Sequence, residues 1–120
     1  MTTPFTLQGS LSTGSSELRA LSVVGSFSSK AEFELVLTGS GTATVDFGTV
    51  TNGAKVVHVE VDEETTDPVI VRFNGSVTGG IQVSAGGYID IGNPAPDVDG
   101  VLSMDIDYTS NVVVTVVLLG

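Results

Sequence analysis

The chain has no cysteine and no tryptophan, and among its 120 residues there are only four lysines and arginines and one histidine. Without cysteine, neither disulfides nor a thiolate metal centre can support the fold. Four bases against 14 acids leave a net charge of −10. That balance repels phosphate backbones and argues against DNA or RNA as a partner. No basic amphipathic stretch offers itself to an anionic membrane surface. The apolar run that closes the chain, VVVTVVLL, falls far short of the ~20 residues a spanning helix needs. The opening MTTPFTLQGS has neither the basic start nor the apolar core of a signal peptide. Synthesis in the cytoplasm, and no place in a membrane, are the expectations.

Charge is spread unevenly. Residues 1–60 hold five acids and three bases, whereas residues 61–120 hold nine acids and only Arg72. Hydrophobic residues make up 41%, too many for a disordered chain. The length suits one domain covering residues 1–120, with residues 1–10 forming an extended N-terminal arm.

Alternation dominates what is present. Phe33, Leu35 and Leu37 alternate with Glu32 and Glu34; Val57, Val59 and Val61 alternate with His58, Glu60 and Asp62. Ala43, Val45 and Phe47 form an inward set with Asp46 outside. Leu102, Met104, Ile106 and Tyr108 alternate with Ser103, Asp105 and Asp107. Each is the pattern of a half-buried strand. Asn52-Gly53 and Asn74-Gly75 are hairpin signals, and further turns fall at 38–41, 78–80 and 85–87. The segment 92–100, GNPAPDVDG, suits a loop that carries the chain from one sheet to another. Only SSELRALSVV could hold a turn of helix, capped by Ser15 with Leu18 and Leu21 on one face. Val23, Val24 and Phe27 favour strand there. The predicted fold is all-β: an antiparallel β-sandwich of eight to ten short strands, with a jelly roll as its expected form.

Chemistry is thin. His58 lies at an outward strand position, and no Gly-x-Ser-x-Gly elbow accompanies it. The acids of EVDEETTD (Glu60, Asp62, Glu63, Glu64, Asp67) and of DVDG (Asp97, Asp99) could offer carboxylates to calcium. The second lacks the third aspartate and the terminal glutamate of a calcium loop, so a solvated loop is the plainer reading of both. The glycine-rich stretches precede no lysine and open no helix, so they are turns and not phosphate cradles. Arg72 is placed to pair with an acid on a neighbouring strand or across a subunit boundary. No catalytic set and no cofactor are expected.

The terminal strand carries most of the functional argument. Val112, Val114, Val116 and Leu118 form one face, and Val113, Thr115, Val117 and Leu119 the other. Both faces of such a strand need cover, and an apolar face left in water exceeds what soluble monomers usually tolerate. Val112, Val113, Val114, Val116, Val117, Leu118 and Leu119 are therefore the candidate residues of an oligomer contact.

The stretch VIVRFNGSVTGGIQVSAGGYIDI (69–91), followed by this valine strand, resembles the small jelly-roll or β-sandwich virion proteins of tailed bacteriophages. Capsid decoration (cement) proteins are the group it resembles most. The resemblance implies a homotrimer or similar oligomer on the outer capsid surface, bridging major capsid proteins and stabilising the head. No catalytic residues come with that family. Two alternatives stand beside it: a tail or head-completion component, and a carbohydrate-binding β-sandwich assisted by calcium through the loops at 60–67 and 92–100.

Overall fold

A computed structural model describes residues 2–14, 16–50, 53–92 and 101–120, with side chains placed throughout these except at 10–13, 16–21 and 23. Ten strands follow one another: β1 (Thr3–Thr13), β2 (Ser16–Phe27), β3 (Lys30–Leu37), β4 (Gly41–Thr44), β5 (Val56–Val61), β6 (Val69–Phe73), β7 (Ile81–Val83), β8 (Tyr88–Gly92), β9 (Met104–Tyr108) and β10 (Val112–Leu119). Among the described residues there is no helix, hence none long and apolar enough to cross a membrane.

Eight of the strands form two four-stranded antiparallel sheets, ordered β3-β10-β5-β8 and β4-β9-β6-β7. The pairing is nested: β3 lies beside β10, β4 beside β9, β5 beside β8 and β6 beside β7. Of the connections from β3 to β10, only β6–β7 stays within one sheet. The chain thus resembles a long hairpin rolled so that alternate segments fall in opposite layers. The layers close on one core. Val57, Val59, Val61, Val114, Val116 and Leu118 meet Val69, Val71, Met104 and Ile106 there, each at most 1% exposed. β-Branched side chains fit such a pleated interior, and each fully buried one contributes about 1.5–3 kcal/mol.

The remaining two strands form a separate ribbon. β1 and β2 pair from Thr3↔Phe27 to Thr13↔Ser16, with a register shift at Leu11/Ser12, and join neither sheet. The base of the ribbon is tied down. The amides of Ser28 and Ser29 donate to the Gly120 carbonyl at 2.8 and 3.3 Å, the Gly120 amide returns a bond to Ser29 O at 2.9 Å, and Lys55 Nζ donates to Ser26 O at 2.8 Å. Phe5, near this base, is buried. The radius of gyration, 15.0 Å, exceeds the roughly 13–14 Å of a fully compact chain this long, as a ribbon outside both sheets requires.

Several expectations change accordingly. Of the residues 1–10 expected as an arm, Thr3–Ser10 pair with β2, so the arm is two-stranded there. The segment considered for a helical turn is strand from Ser16 onward; Ser15 lies outside the described residues. Asn52-Gly53 does not join a hairpin, because β4 and β5 sit in different sheets, each with partners distant in sequence; Asn52 is also outside the described residues. Asn74-Gly75 does begin a hairpin, β6–β7. Asn74 adopts φ 55°, and its side chain accepts the Leu102 amide at 2.7 Å. Leu102 precedes β9 and is half exposed, whereas Met104 and Ile106 are core. The chain does change sheet between β8 and β9, as expected of the segment 92–100, of which 93–100 are not described.

Two outcomes follow for stability. Leu118→Ala should lose about 2–5 kcal/mol in urea titrations, while Val117→Ala, one residue away but facing outward, should lose less than about 1.5 kcal/mol. Gly80 has φ +120°, and a Cβ there would lie 2.6 Å from Ile70 Cγ2 and 2.9 Å from Arg72 Cγ. Gly80→Ala should therefore lower the thermal midpoint by an amount worth about 1–3 kcal/mol; an unchanged midpoint would mean the β6–β7 loop does not rest on β6.

Candidate functional site

The outer face of the β3-β10-β5-β8 sheet gathers most of the chain's exposed chemistry, and the register places it row by row. One row runs Glu34–Thr115–Glu60–Tyr88, the next Glu32–Val117–His58–Asp90, and the next Lys30–Leu119–Val56–Gly92. β10 lies in the middle, so its outward residues Val113, Thr115, Val117 and Leu119 occupy a trough between longer polar side chains and are half-buried. Methylene stems of Glu and Lys can cover such a trough while their heads stay in water. An apolar outer face on β10 is thereby tolerable within a single chain.

The sequence-selected contact residues divide cleanly. Val112, Val114, Val116 and Leu118 are at most 3% exposed inside the chain's own core. They are unavailable to a partner, because β10 is a central strand facing the opposite sheet. Val113, Val117 and Leu119 remain on the outer face, with exposed Val36 beside Val113.

His58 is the most engaged polar residue of the face. Its Nδ1 meets Asp90 Oδ1 on β8, its Nε2 lies 3.5 Å from Glu60 Oε2, and its ring stacks on Tyr88 with centroids 6.2 Å apart. Burial lowers its pKa, but the Asp90 and Glu60 carboxylates together outweigh burial and raise it above 6.5. A carboxylate thus sits at each ring nitrogen and favours the protonated imidazole.

At one end of the trough two adjoining clefts, of about 330 and 290 Å³, share Asp62 and Val113. Glu34, Glu60 and Glu63 also line the first, and Glu64 the second. Among the described residues no base lines either, so anions are disfavoured there. Among the described residues no three acids or histidines are arranged to hold a metal ion. The loop after β5 is bonded to itself and to the start of β10: Thr65 Oγ1 donates to Asp67 O and Asn111 O at 3.2 and 3.3 Å, and the Asp62 amide to Val113 O at 3.1 Å. Asp97 and Asp99 lie outside the described residues.

Arg72 finds its acid within the chain. On the outer face of the other sheet its Nε and Nη2 donate to both oxygens of Asp107 at 3.0 and 2.7 Å, and Nη1 donates to Ser76 O at 2.8 Å. Thr42 Oγ1 donates to the same carboxylate at 2.6 Å. Hydrogen bonds from Arg72 and Thr42 hold the Asp107 pKa below its usual value.

Sequence reasoning found His58 outward but missed its cluster. The signal lay in two i, i+2 pairs, His58/Glu60 and Tyr88/Asp90, and only the β5–β8 register brings them together. Compared with protein-family models, curated proteins and solved structures, the chain matches none.

Because His58 keeps its proton to higher pH when folded, the linked stability is fully present below about pH 6.5 and is lost as pH rises through the folded-state value. Urea midpoints should fall as pH rises above about 6.5, and His58→Gln should flatten that fall. A fall of equal size in the variant would assign the dependence to other groups.

Proposed function

We propose that the chain is a structural protein of a viral particle that sits on the outer capsid surface and holds neighbouring capsid subunits together as a homo-oligomer, a trimer being the favoured order. The observation that carries this reading is the two-stranded ribbon, tied at its base and paired with neither sheet. A lone two-stranded hairpin is at best marginally stable in water, so such a ribbon suits a surface supplied by assembly. The nested strand order supports taking the sandwich as a jelly roll, an architecture used by capsid and lectin domains. A net charge of −10 suits a shell exterior, away from packaged nucleic acid. The mechanism is interfacial: many weak contacts repeated over a lattice act together by avidity.

One specific observation favours a carbohydrate-binding module as the second reading. Tyr88 is 65% exposed and flanked by carboxylates, as a sugar platform would be. A tail or head-completion role would differ from cementing in copy number per particle.

The test uses particles from the genome that encodes this chain, with its reading frame deleted. They should release nucleic acid at lower temperature than intact particles, and adding the purified protein should restore the higher temperature. Unchanged release, together with Tyr88-dependent retention on an immobilised glycan, would replace cementing with sugar binding.

A further inference from the structure

From the β1–β2 ribbon and the acidic sheet face we infer that the ribbon of one copy docks on the outer face of the β3-β10-β5-β8 sheet of a second copy. The inference builds on the assembly reading above and names the contact that makes the oligomer.

Charge selects the occupant. Residues 1–29 carry one acid, Glu17, and one base, Arg19, while residues 30–120 carry 13 acids against Lys30, Lys55 and Arg72. Two copies meeting face to face would set Glu32, Glu34, Glu60 and Asp90 against the same residues, and pairing β3 with a second β3 would bring glutamates together. Like charges placed directly opposite are destabilising. The ribbon is the neutral part of the chain and can approach that face without this repulsion. Leu7, half-buried between exposed Thr6 and Gln8 on β1, gives the ribbon an apolar side chain for the trough of Val113, Val117 and Leu119 beside exposed Val36.

Size agrees. Eleven register pairs at ~3.4 Å each make a ribbon about 37 Å long, and a face about 10 Å wide covers about 370 Å². In a reciprocal pair each copy gives one ribbon to the other and receives one from it, burying up to about 740 Å² per partner in a single interface, close to the ~800 Å² per partner of stable interfaces. The Gly120, Ser29 and Lys55 bonds hold the base of the ribbon to the parent sandwich.

The absence of cysteine makes the test clean. Chains with Gln8→Cys on the ribbon and chains with Val36→Cys on the sheet face each carry one thiol, at an exposed position. Mixed and treated with a short bis-maleimide, they should yield the Gln8–Val36 cross-linked pair, identified by mass spectrometry. Light scattering should give a discrete multiple of 12.2 kDa, and Leu7→Asp should return it to a single chain. A monomer at all concentrations, or an oligomer cross-linked only through Val36 to Val36, overturns the inference. A monomer that still restores particle stability would leave the cementing role standing and assign the ribbon to the capsid. An oligomer with the mixed cross-link but no effect on particles would keep the docking and remove the cementing role.

Discussion

Burial of the inner row of β10 is the constraint on which the rest of the structure depends. Val112, Val114, Val116 and Leu118 fill the space between the sheets, and the backbone of the same strand pairs with β3 on one side and β5 on the other. Gly120, the residue that follows it, closes the base of the ribbon through Ser28 and Ser29. One eight-residue strand therefore fixes the core, joins half of one sheet and aims the arm. Its partners come early in the chain, with Lys30 pairing Leu119, so the loop-closure entropy of these contacts is large and folding should be slow for the size.

The two outer faces manage their charge differently. On the β4-β9-β6-β7 sheet Arg72 neutralises Asp107 with two hydrogen bonds, and threonines of β4 serve as donors to Asp105 and Asp107. That face is closed on itself. On the β3-β10-β5-β8 sheet the acids outnumber their partners: Lys30 meets Glu32 at 2.9 Å and His58 meets Asp90 and Glu60. Glu34 adds a further carboxylate beside the half-buried valines of β10. A face that is both unneutralised and apolar at its centre suits a neutral, amphipathic partner better than it suits water or its own copy.

Much of the fold was legible because period two is a local signal. The inward identities of Val57, Val59 and Val61, and of Met104 and Ile106, followed from alternation alone, as did the all-β class and the strand count. Pairing was not legible, since it depends on which distant strands meet. Asn52-Gly53 suggested a hairpin between segments that end in different layers, whereas Asn74-Gly75 marked a true one; the local chemistry of the two is the same. The terminal valines suggested an oligomer contact on both sides. A central position for β10 assigns one side to the chain's own core and leaves Val113, Val117 and Leu119 to the outer trough. The ribbon was foreseen only as a single extended arm, because β2 had no clear alternation to identify it as a partner.

Hydrogen exchange on the purified chain, followed residue by residue over a dilution series, tests this division of labour most directly. Amides of β10 should be the slowest to exchange and should not depend on concentration, as expected where opening requires global unfolding. Amides in the outer part of the ribbon should be protected at high concentration and lose that protection on dilution, while those at its base keep theirs. Rapid exchange along β10, or a ribbon as protected as β10 at every dilution, would contradict a self-contained sandwich with a ribbon completed by assembly.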